Sequence, residues 1–180
     1  MLCVATSTRG NPSLGDILRS MGVLAGVIAA VALLFNLLSD DEPRLPDPVD
    51  YQPALAVARA EYGYDVLAPE PVPDGWRATS VDFAQEATGD LWRLGFLLDD
   101  GEQFIGLEQA DGEIQSYRDD RLADFAADGE STVDGVAWER LLEDGDRPDR
   151  ALVRVDGGAI TIVRGTVSYE DLEDFVRLLR

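Results

Sequence analysis

The sequence predicts an α+β protein: one membrane-spanning helix, then a two-layer domain in which a mostly antiparallel sheet of six or so strands carries a C-terminal helix. Three observations predict it. A long apolar run fills residues 17–38, turn-bounded segments in the middle alternate with strand period, and "SYEDLEDFVRLLR" closes the chain as a capped amphipathic helix.

From Met21 to Phe35 every residue is apolar or glycine, and only Asn36 interrupts the run before Leu37 and Leu38. A spanning helix needs about 20 mostly apolar residues. A helix buried in a soluble core would keep a polar face, and this one has none. A secretory signal has a shorter apolar region, about 7–15 residues, ending in a small-x-small cleavage site. "NLLSDDEP" offers no such site, so the run reads as an uncleaved signal anchor, with a long cleaved signal peptide as the alternative. Arg9 and Arg19 precede the uninterrupted stretch from Met21, and Asp40, Asp41 and Glu42 follow the run. The basic flank holds the amino-terminal side in the cytoplasm.

The chain thus divides into a cytoplasmic tail (1–16), a membrane anchor (17–38) in contact with the lipid bilayer, a proline-rich acidic linker (39–50) and an extracytoplasmic domain (51–180). Gly22, Gly26 and Ala30 recur at every fourth position of the anchor. Small residues at that spacing let two helices approach, so they mark a helix-pairing face for a homodimer or another spanning subunit.

Beyond the anchor, Pro43, Pro46 and Pro48 sit among charges in an extended spacer. Alanine-rich spacing predicts a short helix from about Pro53 to Glu61, proline suiting a first turn. A strand is expected over "WRATSVDFA". "LWRLGFLL" and "QFIGLEQA" follow as a hairpin about the turn "DDGE". "VDGVAWERLLEDGD" and "RALVRVDGGAITIVRG" repeat strand–turn–strand, while "YRDDRLADFAAD" fits a short helix or an irregular link equally. In the last segment Ser168 is a good N-cap, Glu170 and Asp171 favour the helix's positive end, and Leu172, Phe175, Val176 and Leu179 share a face.

Composition excludes several chemistries. The net charge is −20, with 34 acidic residues against 13 arginines over residues 39–180. Such a body repels phosphate backbones, so no nucleic-acid partner is expected. The chain has no histidine and no lysine, which removes Ser–His and Ser–Lys nucleophile pairs. The only cysteine, Cys3, lies before the apolar run, away from any lipidation site, and zinc sites built on His and Cys are absent. No glycine-rich phosphate loop or dinucleotide fingerprint occurs, so no cofactor and no metal is expected. "EDGDRPD" places Asp144, Asp146 and Asp149 together, but without the regular spacing of a calcium loop it reads as a polar turn. Trp76, Trp92 and Trp138 all fall in predicted strands, where large aromatics fill cores.

With these residues in view, the chain resembles an uncharacterised actinobacterial family of single-span membrane proteins, the domain of unknown function numbered 4245. The stretches that carry the resemblance are "YDVLAPEPVPDGWRATS", "LGFLLDDGEQFIGLEQADG", "VDGVAWER" and "ALVRVDGGAITIVRGTVSYEDLEDFVRLL". The resemblance implies an anchored extracytoplasmic domain and carries over no catalytic residue. Within those stretches Trp76, Arg77, Glu108 and Gln109 are the candidates for a binding surface. The alternative is that Trp76 is core and the other three make hydrogen bonds at a strand edge.

The expected function is non-enzymatic: a tethered domain binding an envelope ligand or partner protein. One alternative is a sensor or accessory subunit that pairs through its membrane helix. Another is a carboxylate-dependent hydrolase of envelope polysaccharide, since carboxylates alone can run glycoside hydrolysis.

Overall fold

The computed structural model describes residues 21, 22, 24–28, 31, 33, 34, 45–86, 89–98 and 101–180. Its contacts divide the chain into Met1–Arg44 and Leu45–Arg180. In the first part the described residues are helical, and Met21, Leu24, Val27, Ile28, Leu33 and Leu34 expose their side chains. Among the described residues no helix is long and apolar enough to cross a membrane. Much of the expected anchor, Ala30 included, lies outside the described residues.

The second part opens with helix α1 (Gln52–Glu61), which carries proline in its first turn and buries Leu55 and Ala58. Three strands follow as a meander: β1 (Trp76–Glu86), β2 (Gly89–Leu98) and β3 (Phe104–Ala110). Helix α2 (Ile114–Arg121) leads to a second meander of β4 (Phe125–Val133), β5 (Val136–Glu143), β6 (Arg150–Asp156) and β7 (Ala159–Gly165). Helix α3 (Tyr169–Arg177) comes last. All pairings are antiparallel, in the order β1-β2-β3-β7-β6-β5-β4.

Alternation along each strand sorts side chains onto two faces. Trp92, Leu94 and Phe96 of β2 lie opposite Gln109, Leu107 and Ile105 of β3, and this face holds the larger core. It is covered by α1, α3 and a strap of residues 62–69. Trp92 is fully buried there, and Phe175 of α3 stacks on Trp76 at 5.2 Å between ring centres while meeting Phe96 edge-on at 5.6 Å. Such aromatic contacts add to area burial. The opposite face carries Leu91, Ala110, Leu141, Val153, Ile160 and Ile162, against which Ile114, Tyr117 and Leu122 settle from α2 and the turn after it.

The α+β class and antiparallel sheet therefore hold, with seven strands for the six or so expected, and one detail is corrected: α2 on the second face makes three layers rather than two. The strand missed is β4, "FAADGESTV". As an edge strand it leaves five consecutive positions exposed, and a bulge breaks its register between Ala127 and Glu130, so no alternation is visible. The ambiguous "YRDDRLADFAAD" segment is helix, then turn, then the start of this strand.

Two local devices fix the central and final elements. At Gly165 an added Cβ would sit 2.0 Å from the Phe104 carbonyl oxygen, so only glycine lets β7 approach β3 there. Ser168 accepts a hydrogen bond from the Asp171 backbone N–H, and Asp171 reciprocates on the Ser168 backbone N–H, a capping box. Ser168→Ala is expected to cost about 1 kcal/mol, read as a lower urea midpoint with an unchanged slope.

Candidate functional site

Glu108 and Gln109 are neighbours on β3, so the pleat sends them to opposite faces. Each is buried, at 5% and 2% exposed, and each becomes the hub of a polar network.

Glu108 points to the α2 face. Its carboxylate takes two parallel hydrogen bonds from Arg121, Nε to Oε2 at 2.7 Å and Nη2 to Oε1 at 2.6 Å. Tyr117 donates its hydroxyl to Oε2 at 2.8 Å, Arg164 Nε stands 3.4 Å from Oε1, and Arg93 Nε stands 4.0 Å from Oε2. The fork of the Arg121 guanidinium matches a carboxylate bidentately, the strongest form of such a pair. Helix α2 fully buries none of its own eight residues, so this cluster and the Arg118–Glu139 ion pair at 2.8 Å add to the half-buried Ile114 and Tyr117 in holding it to the sheet.

The electrostatics follow from the geometry. Burial alone would raise the Glu108 pKa. The Arg121 and Tyr117 hydrogen bonds, with the Arg121 and Arg164 charges, outweigh it and hold the carboxyl below its ordinary value. The Tyr117 hydroxyl is pushed up to about 12, by burial first and then by the Glu108 charge. Glu108 is therefore ionised and saturated with donors. A general acid or base needs a pKa near the working pH and an approachable proton, and Glu108 has neither.

Beside this cluster opens a groove of about 370 Å³, lined by Leu91, Ala110, Arg93, Tyr117 and Arg121, with Asp90 and Asp111 at its side. A second groove of about 350 Å³ lies beyond α2 against Leu122, Phe125, Glu139 and Leu141. The first falls within the size range of small-molecule pockets.

Gln109 points the other way and acts as a surrogate backbone. Its Oε1 accepts from Leu67 N–H at 2.7 Å, while Nε2 donates to Asp65 O at 3.1 Å and to Thr161 Oγ1 at 3.2 Å. Trp92 Nε1 donates to Leu67 O at 2.9 Å, and Tyr64 reaches Asp90 O and Gln109 O. These bonds supply partners to an irregular strap that would otherwise carry unsatisfied buried amides. Burial, first of all, drives the Tyr64 hydroxyl pKa far up.

The four sequence candidates thus do not converge. Trp76 turns toward the Gln109 face, in the aromatic stack with Phe175. Arg77 donates from Nη1 to Pro46 O at 3.3 Å, tying the spacer to β1. Glu108 and Gln109 lie back to back. Among the helix-pairing candidates, Gly22 and Gly26 are in described helix with open space where a Cβ would be, and Ala30 is outside the described residues. Tyr117, Arg121 and Arg164 were not legible as partners of Glu108, because they approach from another helix and from β7. The available signal was the carboxylate itself, set in the apolar strand "FIGLEQA".

Among the described residues no group of three or more His, Cys, Asp or Glu side chains could hold a metal ion. The "EDGDRPD" turn instead folds on itself, Asp149 N–H donating to Glu143 Oε2 at 3.1 Å. Burial, with the Glu143 charge after it, raises the Asp149 pKa.

No curated protein and no solved structure matches the chain. A family profile does match, over residues 9–179, and its description is Protein of unknown function (DUF4245). Its span takes in the apolar run, the strap, both meanders and the capped helix, and so the chain belongs to the DUF4245 family.

Proposed function

We propose that this chain is a single-pass membrane protein whose extracytoplasmic domain binds an envelope ligand or a partner protein without transforming it. The observation that carries the reading is how the buried polar groups are used. Glu108 and Gln109, the two buried polar residues of β3, are consumed in clamping α2 and the strap, while a surface groove opens beside the Glu108 clamp. The apolar run with its basic leading flank and acidic trailing flank supports the anchor. The lack of histidine and lysine supports binding over catalysis.

The test has two arms on the full chain in its own membrane. An alkaline-phosphatase fusion after Arg180 is expected to be active, and an inactive, stably expressed fusion overturns the compartment. A photoreactive residue placed at Ser116, on the rim of the groove beside Tyr117, is expected to give a discrete adduct. Labelling no stronger than at an exposed control position such as Asp146 overturns the binding role.

A second reading, an accessory subunit that pairs through its membrane helix, is favoured by the open Gly22/Gly26 positions among exposed apolar side chains. Replacing both glycines with isoleucine is expected to abolish self-association in a membrane two-hybrid assay. An unchanged signal sinks it.

A further inference from the structure

We propose that the recess between the β4–β5 hairpin and the last turn of α3 docks an acidic segment of a partner protein, which inserts one large apolar side chain. The inference rests on the partner-protein form of the reading above and names the chemistry that partner presents.

The recess is small, about 180 Å³, and its floor is apolar: Trp138, Leu67, Val133 and Val176. Small-molecule pockets usually run from about 300 Å³ upward, so this one suits an anchoring side chain better than a whole ligand. Its rim is cationic. Arg154, Arg177 and Arg180 line it, with Asp134 the one acidic side chain among its lining residues. That is three of the domain's 12 arginines gathered at one opening in a chain of net charge −20.

The three guanidiniums are available to a guest. The carboxylates paired with Arg154 and Arg177, Asp156 and Asp174, are each 67% exposed and do not line the recess. Exposed pairs of that kind contribute little and exchange readily for a better-placed anion. Glu173 stands 3.9 Å from Arg177 Nη2 but is engaged by Arg140 at 2.7 Å and by Ser131. Arg180 Nη1 donates to the carbonyls of Arg177 and Leu179, and no side-chain carboxylate is paired with it among the described residues. An acidic peptide with an apolar anchor meets both features at once. Arginine forks recognise carboxylates, and a central apolar anchor ringed by polar contacts is the usual energetic core of an interface.

The described residues of the chain's own acidic spacer, 45–50, lie away from the recess. They run along β1, Val49 N–H donating to Ala78 O at 2.8 Å, and β1 is the sheet edge opposite β4. The strongly negative remainder of the surface repels an acidic segment everywhere else, so the local cationic rim also sets where the partner lands.

The test uses purified full-length chain in neutral detergent and fluorescent pentapeptides of the form acetyl-Glu-Asp-X-Glu-Asp-amide. With X as leucine or phenylalanine, saturable binding is expected at least tenfold tighter than with alanine or glutamine. Arg177→Glu is expected to weaken the leucine peptide at least tenfold with an unchanged circular dichroism spectrum. Arg154→Glu, on the strand side of the rim, repeats the test should α3 be disturbed. No saturable binding, equal affinity for all four peptides, or affinity indifferent to both arginines overturns the proposal. So does displacement of the leucine peptide by inorganic phosphate or short-chain phosphatidylglycerol at concentrations where the unlabelled peptide itself does not compete. A failed titration removes the recess alone, because the Ser116 adduct and the fusion assay report on a different groove and on the compartment.

Discussion

Glu108→Ala is expected to destabilise the domain by about 3 kcal/mol, a drop of roughly 10 °C in melting temperature. The reason is what the substitution strands. Arg121, Arg164 and Arg93 would face one another with no central anion, and the Tyr117 hydroxyl would lose its acceptor. Removing one partner of a buried ion pair costs about 3–5 kcal/mol. The lower figure applies because the three arginines remain between 26% and 37% exposed and can turn toward water. Hydrogen exchange should localise the damage, with α2 losing protection while α3 keeps it.

The same residue makes a pH prediction. Its folded pKa lies below its ordinary value, so it contributes stability that is fully present above the unfolded-state pKa, about 4.3. That contribution is lost as pH falls through the lower, folded value. Glu173, lowered by its Ser131 and Arg140 hydrogen bonds, acts in the same direction. Urea unfolding between pH 6 and pH 2.5 should show stability falling on the acid side, with a shallower fall in Glu108→Gln. An identical acid limb in wild type and variant would contradict the assignment.

Trp92→Ala should have the largest effect, about 4–5 kcal/mol. The indole is fully buried in the larger core, and its N–H is a tie to the strap at Leu67. Domains are stable by only about 5–15 kcal/mol in all, so this variant should approach unfolding at physiological temperature. Trp92→Phe separates the two contributions. It keeps most of the volume and loses the hydrogen bond, and about 1–2 kcal/mol is expected for the carbonyl left behind. A Trp92→Phe variant as unstable as Trp92→Ala would show that the strap tie, rather than packing, dominates.

How much of this was legible follows from where each signal resides. β2 and β3 announced themselves because apolar residues alternate inside the turns that bound them, and α3 because its cap and stripe are local. β4 was hidden, since five consecutive exposed positions and a bulge leave only Ser131 and Val133 at its end to mark a buried face. The third layer was hidden for a related reason. Helix α2 fully buries no residue of its own, rests on the sheet through half-buried Ile114 and Tyr117, and is pinned by arginine–carboxylate pairs that leave no periodic trace. Glu108 and Gln109 stood out as polar residues in an apolar strand, but that they serve opposite faces follows only from the pleat and from what covers each side.

The strand order carries a kinetic consequence. Every pairing except one joins strands adjacent in sequence; the exception is β3 with β7, where Glu108 sits opposite Ile162. Each meander can therefore form from short-range contacts, and the entropy of loop closure falls on that one seam. Until it closes, β3 presents an unpaired edge flanked by apolar side chains. A chain emerging amino-terminus first would hold that edge open until β7, its last strand, arrived. The interval between the two is when a nascent molecule is most exposed to wrong pairing with its neighbours.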